Sequence, residues 1–254
     1  TEGGALDDSV RHAMTKLAHV HFATNPDAAW RIAAMGEENW RIHDVGLPVI
    51  DRIKKGEYPD PDVVAETLGI DLTRPVILFT QHAITTESDQ AAAQLEPSLR
   101  AMERAMSEWG AQVVATYPNN DDGGDVILAR LKDWSAEHSG VVLRQSLGRA
   151  LYHGTLNVAG RVTRGVCMGN SSSGLKETPA FACPTVNIGS RQSGRLAAEN
   201  VLHVQYDEEA IAQALLRCIN DDDFRELSKT CPNPYGDGNT GKQIVKVLKS
   251  LPIG

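Results

Sequence analysis

Gly165-Val166-Cys167-Met168-Gly169-Asn170-Ser171-Ser172-Ser173-Gly174 is an apolar, strand-like run that passes directly into a loop of small and hydroxylated residues. The stretch after it, 174–181, reads as a helix. A strand, a glycine-flanked turn and a helix in that order form part of a βαβ unit. Small residues let the backbone approach a ligand, and free N–H groups at a helix start attract phosphate. An ordinary helix cap with a flexible lead fits this segment equally well when it is taken alone.

The same rhythm recurs on both sides. Val76-Ile77-Leu78-Phe79, Val113-Val114-Ala115-Thr116, Val141-Val142-Leu143 and Thr185-Val186-Asn187-Ile188 are short and apolar along their length, as strands covered on both faces must be. Helices are expected between them. Ala91–Trp109 repeats Leu95, Leu99, Met102 and Met106 at helical spacing, and 124–138 follows an Asp121-Asp122-Gly123 turn with Val126, Leu128 and Leu131 as its apolar face. A helix is expected over 147–159. Another over 239–251 carries a stripe of Ile244, Val245, Val247 and Leu248 after the breaker Tyr235-Gly236-Asp237-Gly238. These readings predict an α/β fold, a doubly wound parallel sheet over about 46–234.

Residues 1–45 read differently. A helix over 9–18 is led by Asp7 and Asp8, which suit a helix start by capping and dipole. His19-Val20-His21-Phe22 is a short strand, and Asn25-Pro26 opens a second helix. One strand between two helices cannot bury its own faces, so the segment is expected to be the end of another α/β domain. The chain begins at Thr1 without an initiator Met, as a fragment or a processed protein would.

The totals exclude some functions. A net charge of −8 argues against non-specific nucleic-acid binding, which needs a basic face. No apolar run approaches the roughly 20 residues that span a membrane, and no charged-then-apolar leader opens the chain. Cys167, Cys183, Cys218 and Cys231 show no paired spacing, so reduced thiols and a cytoplasmic protein are expected. Zinc, calcium, phosphate-loop, dinucleotide and nucleophile-elbow motifs are all missing, and no metal or cofactor is expected.

In open parallel sheets, ligands sit beyond the carboxyl ends of the strands. Thr80-Gln81-His82 follows one strand, and a histidine there can hydrogen-bond a ligand or carry a proton, although a loop histidine is commonly a surface residue. Glu177, one turn into the helix after the serine loop, could accept both hydroxyls of a ribose or simply favour the helix dipole. Gly189-Ser190-Arg191-Gln192-Ser193-Gly194-Arg195 sets two guanidinium forks among glycines, which suits a pyrophosphate, with a solvated loop as the alternative. Arg11, near Asp7 and Asp8, could neutralise them or a ligand.

Taken together, these segments resemble the hydrolysing UDP-N-acetylglucosamine 2-epimerases. The resemblance rests on Asp7-Asp8-Ser9-Val10-Arg11-His12-Ala13 with Thr15-Lys16-Leu17-Ala18-His19, and on Thr80-Gln81-His82. It continues through Gly169-Asn170-Ser171-Ser172-Ser173-Gly174 with Glu177, Gly189-Ser190-Arg191-Gln192 with Gly194-Arg195, Glu199-Asn200-Val201-Leu202 and Tyr235-Gly236-Asp237-Gly238. It implies two Rossmann-like domains about a cleft, as in GT-B glycosyltransferases, and an oligomer at full length. Residues 1–45 would be a remnant of the N-terminal domain, 46–234 the C-terminal UDP-binding domain, and 235–254 a helix crossing back. Ser171, with Asn170 and Ser172, would contact phosphate, Glu177 the ribose hydroxyls, and Arg191 the pyrophosphate. A loop around Tyr152 would meet uracil through its backbone. His82 would lie near the diphosphate and sugar, with Asp7 and Asp8 in proton transfer.

The implied reaction removes the C2 proton with loss of UDP, giving 2-acetamidoglucal. Water then adds to release N-acetylmannosamine, with no metal needed. Most of the family's first domain lies before the Asp-Asp segment, so this chain alone is expected to bind UDP weakly without turnover. The alternatives are a UDP-diacetamido-bacillosamine 2-epimerase, whose sugar pocket this stretch cannot distinguish, a non-catalytic UDP-binding module, and a glycosyltransferase of similar architecture.

Overall fold

The computed structural model describes residues 6–251, with side chains from residue 9 onward, and divides into two compact units. The first comprises the chain up to Glu57, Ser193–Leu196 and the segment from Asn233 on; the second comprises Tyr58–Gln192 and Ala197–Pro232.

The first unit opens with α1 (Leu6–Leu17), β1 (His21–Ala23), α2 (Pro26–Ala34), β2 (Ile42–Asp44) and α3 (Pro48–Lys54). Asn25 caps α2, its Oδ1 accepting from the Ala28 N–H at 2.8 Å, with Pro26 at the first helical position. The expectation of a single strand here is corrected: β1 pairs in parallel with β2, Phe22 opposite His43. Ile42-His43-Asp44 carries only one apolar residue, too short a signal to read as a strand. The predicted strand also starts late, at His21, after a bend at His19-Val20.

The second unit runs α4 (Pro61–Leu68), β3 (Val76–Thr80), α5 (Ala91–Trp109), β4 (Gln112–Thr116), α6 (Gly124–Glu137), β5 (Val141–Arg144), α7 (Gly148–Asn157), β6 (Val166–Gly169), α8 (Ser173–Lys176), β7 (Thr185–Ile188), β8 (Val201–Val204), α9 (Glu208–Asn220) and α10 (Asp222–Thr230). Its six strands are parallel in the order β5-β4-β3-β6-β7-β8. The chain starts in the middle at β3, builds outward to β5, then returns to β6 and builds the other way. This is the doubly wound sheet expected from the strand rhythm, with its switch point between β3 and β6. Every residue of β3, β4, β6 and β7 is buried, which is why those strands read as unbroken apolar runs.

Several helical expectations change. The buried face of α6 is Ile127, Leu131 and Trp134, with Val126 exposed; the i, i+4, i+7 set containing the tryptophan is the one that meets the core. The predicted helix over 174–181 is two pieces, the single turn of α8 and a 3₁₀ turn Thr178–Phe181, with Pro179 in the second. Proline lacks an amide donor, so a continuous α-helix through it would lose a hydrogen bond. The helix over 147–159 ends as α7 and passes into a π turn, Val158–Val162.

The chain closes in the first unit with α11 (Thr240–Ser250), which packs on α3; Asp51 accepts from the Thr240 and Gly241 N–H groups at 2.9 and 2.7 Å. In the expected stripe of α11, Val245 and Leu248 are exposed, and the helix's buried residue is Thr240.

Candidate functional site

The switch point brings two loops together. β3 and β6 lie side by side with Thr80 opposite Gly169. Gly169 takes φ +125°, and a Cβ there would stand 2.0 Å from the Thr80 carbonyl oxygen, so only glycine lets the strands approach this closely. Asn170, next along, is buried and ties the loops to each other. Its Oδ1 accepts from the His82 N–H at 2.7 Å, its Nδ2 donates to the His82 carbonyl at 2.8 Å, and its N–H donates to the Thr80 carbonyl at 3.1 Å. The third loop joins through Asn170's carbonyl, which accepts from Gln192 Nε2 at 2.7 Å and Arg191 Nη1 at 3.3 Å. Of the sequence-derived candidates, Asn170, His82 and Arg191 thus converge, Asn170 as the knot.

His82 is held as a neutral imidazole. Burial first, then the Arg191 cation, pull its pKa from 6.5 to about 4, with Asp121 opposing them. Its Nδ1 lies 3.0 Å from the Asn119 N–H, which can only donate, so the ring proton sits on Nε2. Asn119 Nδ2 in turn bonds the Asp121 carboxylate. The residue before His82 is equally fixed: Gln81 donates to the Gln94 carbonyl at 3.0 Å and accepts from Ser98 Oγ at 2.9 Å. This arrangement makes His82 a rigid hydrogen-bond donor through Nε2.

Ser171 and Ser172 are half-buried, and Ser172 stands at the N-cap of α8. Ser171 Oγ lies 3.2 Å from Ser173 Oγ, which lies 2.5 Å from the Tyr152 hydroxyl. Tyr152 is not in a loop. It sits inside α7, where its backbone groups belong to the helical ladder, so the expected backbone contact with a base cannot come from this residue. Its side chain instead reaches the serine loop, and burial, chiefly, raises the pKa of its phenol well above 10. Glu177 lies at the C-cap of α8, where its Oε2 meets His153 Nε2 at 2.9 Å.

Beyond β7, Gly189 has φ +72°, and a Cβ would fall 2.3 Å from the Tyr206 ring. Tyr206 therefore packs directly on the backbone that leads to Arg191, and burial raises its pKa to about 12. Arg195 belongs to the first unit, as does Arg11, which is exposed on α1. The side chains of Asp7 and Asp8 lie outside the described residues.

Further side chains beside these loops are not among the candidates above. Asn119 follows β4 in Tyr117-Pro118-Asn119-Asn120, so the rule that singles out strand-end loops could have found it. His153 and Tyr206 leave no such signal, because each acts through a partner distant in sequence. In the first unit, Lys16 Nζ and His21 Nε2 lie 2.8 and 3.4 Å from the two Glu37 carboxylate oxygens. Lys16 foremost lowers the Glu37 pKa. Among the described residues no group of three or more His, Cys, Asp or Glu is placed to hold a metal ion, and no helix is long and apolar enough to cross a membrane. All four cysteines are free; burial raises the pKa of Cys183 to about 12 and those of Cys167 and Cys218 upward.

Loops gathered at the switch point of a doubly wound parallel sheet define the Rossmann-like class, and the second unit falls in it. More narrowly, the chain belongs to the UDP-N-acetylglucosamine 2-epimerase family, whose pattern it matches over residues 1–249. It is 30% identical to the UDP-N,N'-diacetylbacillosamine 2-epimerase (hydrolyzing) of Legionella pneumophila over 98% of this chain and 62% of that protein. It is also 30% identical to the UDP-N-acetylglucosamine 2-epimerase of Neisseria meningitidis serogroup B, over 84% of this chain and 53% of that one. The chain thus spans about three fifths of the first relative and about half of the second. The solved UDP-GlcNAc 2-epimerase from Neisseria meningitidis, bound to UDP-GlcNAc, superposes with a TM-score of 0.72 at 18% identity, over 98% of this chain and 65% of that chain. At that identity the likeness speaks to the fold, which is GT-B-like.

Proposed function

We propose that the chain carries the UDP-binding part of a hydrolysing UDP-N-acetylglucosamine 2-epimerase. The observation that supports this most is the convergence of the His82, Asn170 and Arg191 loops on one point at the carboxyl end of the sheet. In this reading Ser171 and Ser172 meet phosphate with the backbone around Asn170, Arg191 pairs with the pyrophosphate and Glu177 accepts the ribose hydroxyls. The loop ahead of α7, 145–147, takes the contact to uracil in place of Tyr152. Arg11 supplies a further cation to the nucleotide sugar.

Chemically, a carboxylate of Asp7 or Asp8 takes the C2 proton while the C1–O bond to UDP breaks, leaving a double bond between C1 and C2. Water then adds its oxygen to C1 and a proton returns to C2 on the opposite face, giving N-acetylmannosamine. The departing diphosphate gathers negative charge, which Arg191 and the Nε2–H of His82 stabilise. A fixed neutral donor needs no rearrangement as that charge develops.

The domain division follows the same reading: 1–45 closes an N-terminal Rossmann-like domain, 46–234 binds UDP, and 235–254 crosses back. That the segment from Asn233 on belongs to the same compact unit as the chain up to Glu57 supports that last element. The working form is a cytoplasmic homo-oligomer of a longer chain. A second reading, with the diacetylated bacillosamine sugar as substrate, is favoured by the name of the Legionella relative.

The test is product analysis by NMR in D₂O. A chain of the family's full length is expected to convert UDP-N-acetylglucosamine to UDP and N-acetylmannosamine carrying deuterium at C2. These 254 residues alone are expected to release none, and release by them would refute that part of the reading. Turnover confined to the diacetylated nucleotide sugar would move the assignment to the second substrate.

A further inference from the structure

Two neighbouring side chains of α7 reach the single turn that carries the serine loop. The Tyr152 hydroxyl meets Ser173 Oγ at 2.5 Å, at the start of α8, and His153 Nε2 meets Glu177 Oε2 at 2.9 Å, at its end. α8 has four residues, too few to be held by its own hydrogen bonds, because a first helical turn orders several residues for one bond. Beyond it the backbone turns into the 3₁₀ segment Thr178–Phe181.

His153 is 2% exposed, and its ring packs on Phe181 with centroids 5.5 Å apart. An ionised carboxylate only accepts, so Nε2 carries the proton and donates. That bond occupies one site on Oε2 and leaves the rest of a carboxylate that is partly exposed, at 19%. A backbone carbonyl would have satisfied a buried imidazole N–H equally well. Spending the bond on Glu177 ties the direction of that carboxylate to a ring locked in the core.

We propose that His153 is the positioning residue for Glu177, aiming its carboxylate at the 2′- and 3′-hydroxyls of a ribonucleoside diphosphate, while Tyr152 fixes the other end of the same turn. The proposal rests on the ribose role given above to Glu177. A free carboxylate would have to be ordered on binding, whereas one already bonded to a buried ring meets a vicinal diol in place.

The test is calorimetric titration of UDP and of 2′,3′-dideoxy-UDP into the chain and its variants. The unaltered chain is expected to prefer UDP by at least about tenfold. E177A should abolish that preference. H153N, whose amide stops short of Glu177, should reduce it to about threefold or less and leave dideoxy-UDP affinity unchanged. H153Q, whose amide nitrogen can take the place of Nε2, should restore it, which a merely space-filling role would not require. H153L gives the same comparison should H153N fail to fold. Full preference in folded H153N or H153L alongside its loss in E177A would overturn the positioning role and leave the ribose reading standing. Full preference in E177A, or no saturable UDP binding by the unaltered chain, would overturn both.

Discussion

The two units differ in how they are held together. In the second, four strands are buried along their whole length, and Trp134, Phe79 and Phe181 are fully enclosed. In the first, the strands are three residues long, α2 has no buried residue, and Leu17 and Trp30 stand 87% and 70% exposed. Burial of apolar area is the main force that folds a domain, at about 25 cal/mol per Å². The second unit therefore has the larger core, whereas the first buries Ile50 and Ile53 but leaves Leu17 and Trp30 to solvent. Rigid placement of a ligand needs the former, and it is there that the switch-point loops are knotted through Asn170.

Gly169→Ala should break this contrast most severely. The new Cβ would collide with the Thr80 carbonyl and also strain φ, costing on the order of 4 kcal/mol of stability in denaturant melts of the second unit. An effect below about 1 kcal/mol would mean that β3 and β6 do not approach as described.

His82 gives the next effect. Its folded pKa, about 4, lies below the ordinary 6.5, so the unfolded chain binds more protons between those values. Its contribution is fully present above pH 6.5 and is lost as pH falls toward 4. Discounted for partial exposure, it amounts to roughly 2 kcal/mol. His82→Asn should remove that part of the pH slope, and an unchanged slope would show that the ring is not held neutral.

Trp30→Ala should do least, shifting stability by no more than about 0.5 kcal/mol, because the ring is exposed. A loss near that of a core tryptophan would mean that this face is covered in solution.

What was legible in the sequence follows the same divide. Thr185–Ile188 and Ala91–Trp109 were read with the bounds the structure gives them, since buried parallel strands and amphipathic helices write their periods directly into the chain. The switch-point rule found His82, the serine loop and Arg191 because all three sit at strand ends. β8 gives no such signal: Val201-Leu202-His203-Val204 lies at the sheet edge, where burial is partial and the pattern is interrupted by His203. The end of α8 is hidden because helix-like composition continues past Glu177, while the break depends on Pro179 and on packing. A loop around Tyr152 conflicts with the helix expected over 147–159, and the helix is what forms there. No local signal tells that His153 meets a carboxylate 24 residues on.

A diphosphate site at the switch point of the second unit, as proposed above, must hold UDP chiefly by its phosphates. Calorimetric titration of UDP into this chain, with uridine as the control, tests it most directly. Saturable binding of UDP is expected, weakening by at least about tenfold when the diphosphate is removed. Equal affinity for UDP and uridine, or no binding at millimolar UDP, would contradict it.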